Sequence, residues 1–114
     1  MSRQIIPFVE FNRRAKRLLK KYRSLPAELQ QLATRLKANP AQGESLGAGL
    51  YKIRLGSASK GGGKSGGFRV ITYYVEQTAE GEIVYLVTIY DKSEEASIAK
   101  EDLLKLLRQG LPPA

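Results

Sequence analysis

The segment "LYKIRL" (50–55) places Lys52 and Arg54 two residues apart, with Tyr51, Ile53 and Leu55 alternating on the other side. Side chains at i and i+2 of a strand share one face about 7 Å apart, so these two cations project together. Arg69, in "FRVITYYV" (68–75), joins them if that segment pairs antiparallel with the first, and it is expected to face outward. Lys92, just after "IVYLVTIY" (83–90), closes the group. Residues 51–75 hold five basic side chains and no acidic one. Clustered cations with no carboxylate among them repel unless a polyanion sits between them. The chemistry suited to such a group is charge neutralisation on a nucleic-acid backbone. For any single member, a solvated strand face is the plain alternative.

Between the two strands lies "GSASKGGGKSGG" (56–67), whose end resembles a phosphate-binding loop. The G-x-x-x-x-G-K-[ST] pattern fails here, because Ala58 stands where the first glycine belongs. A strand-like run follows the loop, so no helix N-terminus is available to meet a phosphate. The segment reads instead as a long, mobile hairpin loop beside the cationic face, with Lys60 and Lys64 reaching the phosphates of a nucleic-acid partner. A passive linker is the alternative.

Composition narrows the chemistry. The 114 residues suit one domain, 1–114, with a core that needs no staples. Cysteine and histidine are both absent. That removes disulfides, thiolate metal sites, the commonest metal ligand and the usual general base. Neither metal nor cofactor is expected. No apolar run resembles a signal peptide or a membrane span, so a cytoplasmic protein without membrane association is the expectation. The net charge of +8 is unevenly spread: residues 1–50 carry ten basic and three acidic side chains, and residues 76–114 carry four and eight. This polarity points to a polyanionic partner for the first two-thirds of the chain.

The elements that must hold these residues follow from periodicity. "RQIIPF" (3–8) reads as a first strand ended by Pro7. A helix follows with Phe8, Phe11, Ala15, Leu18, Leu19 and Tyr22 inward, and Arg13, Arg14, Lys16, Arg17, Lys20 and Lys21 outward. Pro26 suits the first turn of a second helix that runs to about Lys37. "NPAQGESLGAG" (39–49) reads as a loop. Three strands come next, the last two apolar on both faces and therefore central. A final helix spans roughly Ala99 to Gln109, before Gly110 and Pro112. The order β-α-α-β-β-β-α makes an α+β fold, a twisted and mainly antiparallel sheet with two N-terminal helices across one side.

"GLYKIRLGSASKGGGKSGGFRVITYYV" followed by "VYLVTIYDKSE" resembles toxins of the RelE/ParE superfamily, and within it the HigB-like branch of RelE toxins. The central signature, 49–94, is the specific part of that likeness. It implies a RelE fold, neutralisation by a cognate antitoxin (HigA-like, with a helix-turn-helix), and cleavage of mRNA in the ribosomal decoding site. ParE relatives share the fold and inhibit gyrase instead, so a non-catalytic inhibitor stays open. So does a basic RNA-binding module using the first helix.

Carried across by the resemblance, Lys52, Arg54 and Arg69 occupy the family's basic catalytic positions, and Lys92 stands where RelE has an arginine. Arg54 replaces a lysine common in RelE proper, and the family's helix tyrosine falls on Ile98. Tyr73 or Tyr90 then becomes the candidate stacking ring, with a core role as the plainer reading of each. The implied reaction is attack of a ribose 2′-hydroxyl on the adjacent phosphorus, which itself needs neither metal nor water. Arg54, Arg69 and Lys92 neutralise phosphoryl charge, and Lys52 is the candidate base. A lysine base working near pH 7 needs a pKa about three units below ~10.4.

Overall fold

The computed structural model describes residues 3–61 and 67–113. Its elements, in chain order, are β1 (Arg3–Pro7), α1 (Val9–Lys21), α2 (Leu25–Ala38), β2 (Glu44–Gly47), β3 (Leu50–Leu55), a 3-10 turn (Ala58–Lys60), β4 (Phe68–Thr78), β5 (Gly81–Asp91) and α3 (Lys100–Gly110). The strands form one mixed sheet in the order β1-β5-β4-β3-β2. β1 runs parallel to β5, and the other pairings are antiparallel. The fold is the expected α+β arrangement, with one strand more than the sequence suggests.

Helical periodicity sets what each helix buries. On α1, Phe11, Ala15 and Leu18 point inward at spacings of four and three. Leu19, expected inward, is 36% exposed because it lies one residue off that stripe. Pro26 sits in the first turn of α2, where its missing N–H costs nothing, and Leu25, Leu32 and Leu36 are buried below it. Both helices cover one face of the sheet, packing on Ile53, Phe68, Val70, Val84 and Ile89. On the other face Leu103 and Leu107 of α3, together with Phe8, cover Leu50, Ile71, Tyr85 and Val87. Each fully buried leucine contributes about 1.5–3 kcal/mol. Burial on both faces explains why the central parts of β4 and β5 are mostly apolar on both sides.

Segment 39–49, expected to be a loop, contains the edge strand β2. Its glycines do not merely break structure. Gly47, Ala48 and Gly49 all adopt positive φ (85°, 56° and 84°) and turn the chain tightly back into β3. Glu44 thereby comes to lie opposite Lys52, and Ser45 opposite Tyr51. At the start of β4 the requirement on glycine is space, since a Cβ on Gly67 would stand 2.2 Å from the carbonyl oxygen of Leu55.

Candidate functional site

Strand register assembles the site. In the β3–β4 ladder Arg54 is opposite Arg69, and in the β4–β5 ladder Arg69 is opposite Tyr90. One transverse row therefore reads Arg54–Arg69–Tyr90, with opposed Cβ atoms about 4.5–5.5 Å apart. The next row on the same face reads Glu44–Lys52–Ile71–Thr88. Ile71 and Tyr90 belong to the core beneath α3, which places both rows on the sheet face away from α1 and α2. Lys52, Arg54 and Arg69 thus come together as expected.

The three differ in exposure. Arg54 is exposed and Lys52 half-buried. Arg69, expected outward, is only 4% exposed, and its Nη1 donates to the carbonyl of Phe68 at 3.2 Å. A side chain on a central strand is covered by its cross-strand neighbours, here Arg54 on one side and Tyr90 on the other. Tyr90 is itself buried. Burial, first, lifts its phenol above the ordinary tyrosine range; the charge of Arg69 pulls it down, while Glu95 and Glu44 push it up. Lys92 follows β5 directly, and its backbone N–H donates to Gly67 O at 3.1 Å, which ties it to the start of β4. Tyr73 lies four residues along β4 from Arg69, roughly 13 Å away by strand rise. It stacks on Tyr85 at 6.3 Å, half-buried against the core under α3 and apart from the cationic row.

Lys60 does not reach outward from its loop. Its Nζ donates to both carboxylate oxygens of Asp91, at 2.8 and 2.7 Å, and lies over the rings of Tyr22 and Phe68. Asp91 is 3% exposed and also accepts from Ser93 N, Ser93 Oγ and Tyr22 Oη. Burial works against the charge of Asp91, but hydrogen bonds from Lys60 and Ser93 outweigh it and hold the carboxyl at about 2. For Lys60 too, desolvation opposes the charge, and Asp91 more than compensates, raising the lysine's pKa. The expectation of a freely mobile loop is corrected for residues 56–61. Ser59 N donates to Ser24 Oγ, Ser24 N donates to Ser59 Oγ, and Ala58 N donates to Glu28 Oε2, pinning the 3-10 turn to the start of α2. Lys64 lies outside the described residues.

One group in the site escaped the sequence reading. With 39–49 taken as a loop, the cationic face had no carboxylate; β2 supplies Glu44, whose Oε1 lies 3.9 Å from Lys52 Nζ. The signal was present in "ESLGAGLYK", two strand-like pieces joined by a glycine-flanked residue, a hairpin spacing. Glu44 lines an open cleft of about 450 Å³ with Lys52, Arg54, Gln42 and Arg35 of α2. A second cleft of about 550 Å³, between Phe8, Val9 and the end of α3, is mainly apolar and is not lined by Lys52, Arg54 or Arg69. The basic row on α1 is partly neutralised: Arg13 and Arg14 pair with Glu10, and Arg14 also pairs with Glu95 at 2.7 Å.

A mixed sheet with two helices on one face and a cationic cluster on the other is the architecture expected of a RelE-type toxin. Residues 9–110 match the family model described as the RelE toxin of the RelE/RelB toxin-antitoxin system, and the chain belongs to that family. Membership makes it the toxin of a toxin–antitoxin pair, with a cognate antitoxin as partner.

Proposed function

We propose that this protein is a ribosome-dependent mRNA endonuclease, cutting translated messages in the decoding site by 2′-hydroxyl attack. The observation that carries the reading is the Arg54–Arg69 pair, face to face across the ladder with Lys52 on the same sheet face. Cations at opposed ladder positions repel, and a phosphoryl group that meets both turns that repulsion into binding. In the displacement the O2′–P bond forms as the P–O5′ bond breaks, leaving a 2′,3′-cyclic phosphate and a 5′-hydroxyl. Arg69, fixed within the sheet, and Arg54, at its surface, hold the phosphoryl oxygens as negative charge grows there. Lys52 and Lys92 supply further positive charge at the two ends of the group.

The same reading assigns the chain to the HigB-like branch, supported by Arg54, Lys92 and Ile98 where RelE proper carries other residues. Its partners are then the ribosome, mRNA and a HigA-like helix-turn-helix antitoxin, in the cytoplasm. No described helix is long and apolar enough to cross a membrane. Tyr90 acts in this scheme by backing Arg69, and Tyr73 as an outlying aromatic surface. Mapping RNA 5′ ends after brief expression tests the proposal. New in-frame cuts within translated messages are expected; DNA damage without such cuts marks a ParE-like gyrase inhibitor instead.

A further inference from the structure

The register that builds the cationic face also sets a carboxylate into it. Glu44 stands opposite Lys52 at 3.9 Å, too long for a tight ion pair, and its side chain is 64% exposed. Neighbouring acids are committed elsewhere: Asp91 to Lys60 and Ser93, Glu95 and Glu10 to Arg14. The charge of Glu44 reaches the centre of the cluster, since it bears on Tyr90, which is opposite Arg69. It also opens onto the cleft shared by Lys52, Arg54 and Arg35.

Attack by a 2′-hydroxyl needs a group to take its proton. Arginine cannot do so at useful pH, and the chain has no histidine and no cysteine. Lys52, whose Nζ lies 3.9 Å from Glu44 Oε1 on the same sheet face as Arg54, is placed to hold an anionic oxygen. We propose that Glu44 is the general base of the cleavage reaction, with Lys52 beside it as a ligand of the phosphoryl oxygen. This inference rests on the endonuclease reading above. In the step, a Glu44 carboxylate oxygen takes the 2′-hydroxyl proton while O2′ bonds to phosphorus. The P–O5′ bond breaks, the 5′-oxygen takes a proton from water, and Glu44 then returns its own proton to solvent. The charged and titratable groups around Glu44 are Lys52 and Arg54 on β3, then Arg69 on β4 and Tyr90 on β5 farther along the same sheet face, with Arg35 of α2 lining the shared cleft at the sheet edge. Lys100 of α3 also approaches, with its ammonium beside Gly47.

The test is single-turnover cleavage of a defined mRNA on purified ribosomes, followed from acid to neutral pH. Glu44→Gln is expected to lower the rate about 100-fold or more, with ribosome binding and thermal unfolding unchanged. The wild-type rate is expected to fall at acid pH, and that limb to vanish from the residual activity of Glu44→Gln and to return, with part of the rate, in Glu44→Asp. An undiminished rate in Glu44→Gln overturns the assignment. So does a slowed Glu44→Gln enzyme that keeps the acid limb, which is the behaviour of a residue that only positions Lys52. A wild-type protein that cuts nothing, or that still cuts RNA carrying a 2′-deoxy sugar at the cleavage site, overturns the endonuclease reading and this base with it. A wild type that cuts only 2′-hydroxyl RNA, matched by Glu44→Gln, overturns the base alone.

Discussion

Arg54 and Arg69 occupy directly opposed positions of the β3–β4 ladder, one exposed and the other buried against Tyr90. Like charges in that relationship destabilise a sheet, by about 0.2–1 kcal/mol for a cross-strand pair. Two cations at opposed positions suit a site that meets a phosphate, and the pairing separates activity from stability. Arg54→Gln should therefore raise the stability of the free protein by up to about 1 kcal/mol in urea unfolding. The same variant should lose at least about tenfold in cleavage rate. A variant that is both less stable and fully active contradicts this account of the pair.

Asp91 gives the fold a defined acid limit. Its carboxyl is held at about 2, against an ordinary 3.8, so its folded-state pKa is depressed. The stability it contributes is fully present above pH 3.8 and is lost as pH falls from there toward about 2. A shift of that size corresponds to about 2 kcal/mol. Asp91→Asn should remove this part of the pH dependence and lower the stability at neutral pH. Unfolding curves collected between pH 5 and pH 2 for both proteins check the sign and the window.

The Lys60–Asp91 pair also separates structural from substrate-facing lysines. Removing one partner of a buried pair costs about 3–5 kcal/mol, so Lys60→Ser should be markedly destabilised. Where it remains folded, its RNA or ribosome binding should keep the salt dependence of the wild type, because Asp91 already takes that ammonium. Lys52→Ala and Arg54→Ala should each make the slope of log K against log salt shallower by about 0.7–0.9. Binding titrations over a range of salt concentrations distinguish the two classes.

What the sequence disclosed and what it hid divide along the range of the interactions involved. The Phe11–Ala15–Leu18 stripe and the two-sided apolar runs of β4 and β5 are local patterns, and each element followed from them. The juxtaposition of Lys52, Arg54 and Arg69 needed only one antiparallel pairing beyond that. Lys60 was misjudged because its partner lies 31 residues away, and nothing near it in the chain marks a buried carboxylate. Arg69 was expected outward because alternation assigns a face, not the depth to which neighbours cover it. β2 is four residues long with no fully buried side chain, so its apolar signal was too weak to outweigh its glycines. Missing that strand hid Glu44.

The turn that presents Glu44 contains a residue under strain that can be relieved without touching the site. Ala48 has a φ of 56°, between two glycines that also have positive φ. A side chain in the left-handed region costs about 1–2 kcal/mol, a cost glycine does not carry. Part of that gain is offset because glycine also loosens the unfolded chain, by about 0.4–1 kcal/mol. Ala48→Gly should thus stabilise the protein by about 0.5–1 kcal/mol and leave cleavage unchanged. Gly49→Val, by contrast, places a branched side chain at a φ of 84° and against Tyr73, whose Cε1 lies 3.0 Å from where a Cβ would stand. That variant should lose stability and shift β2 out of register, taking Glu44 away from Lys52. Urea unfolding and ribosome cleavage of the two variants give the comparison. If Gly49→Val keeps full activity while losing stability, β2 need not hold its place for the reaction.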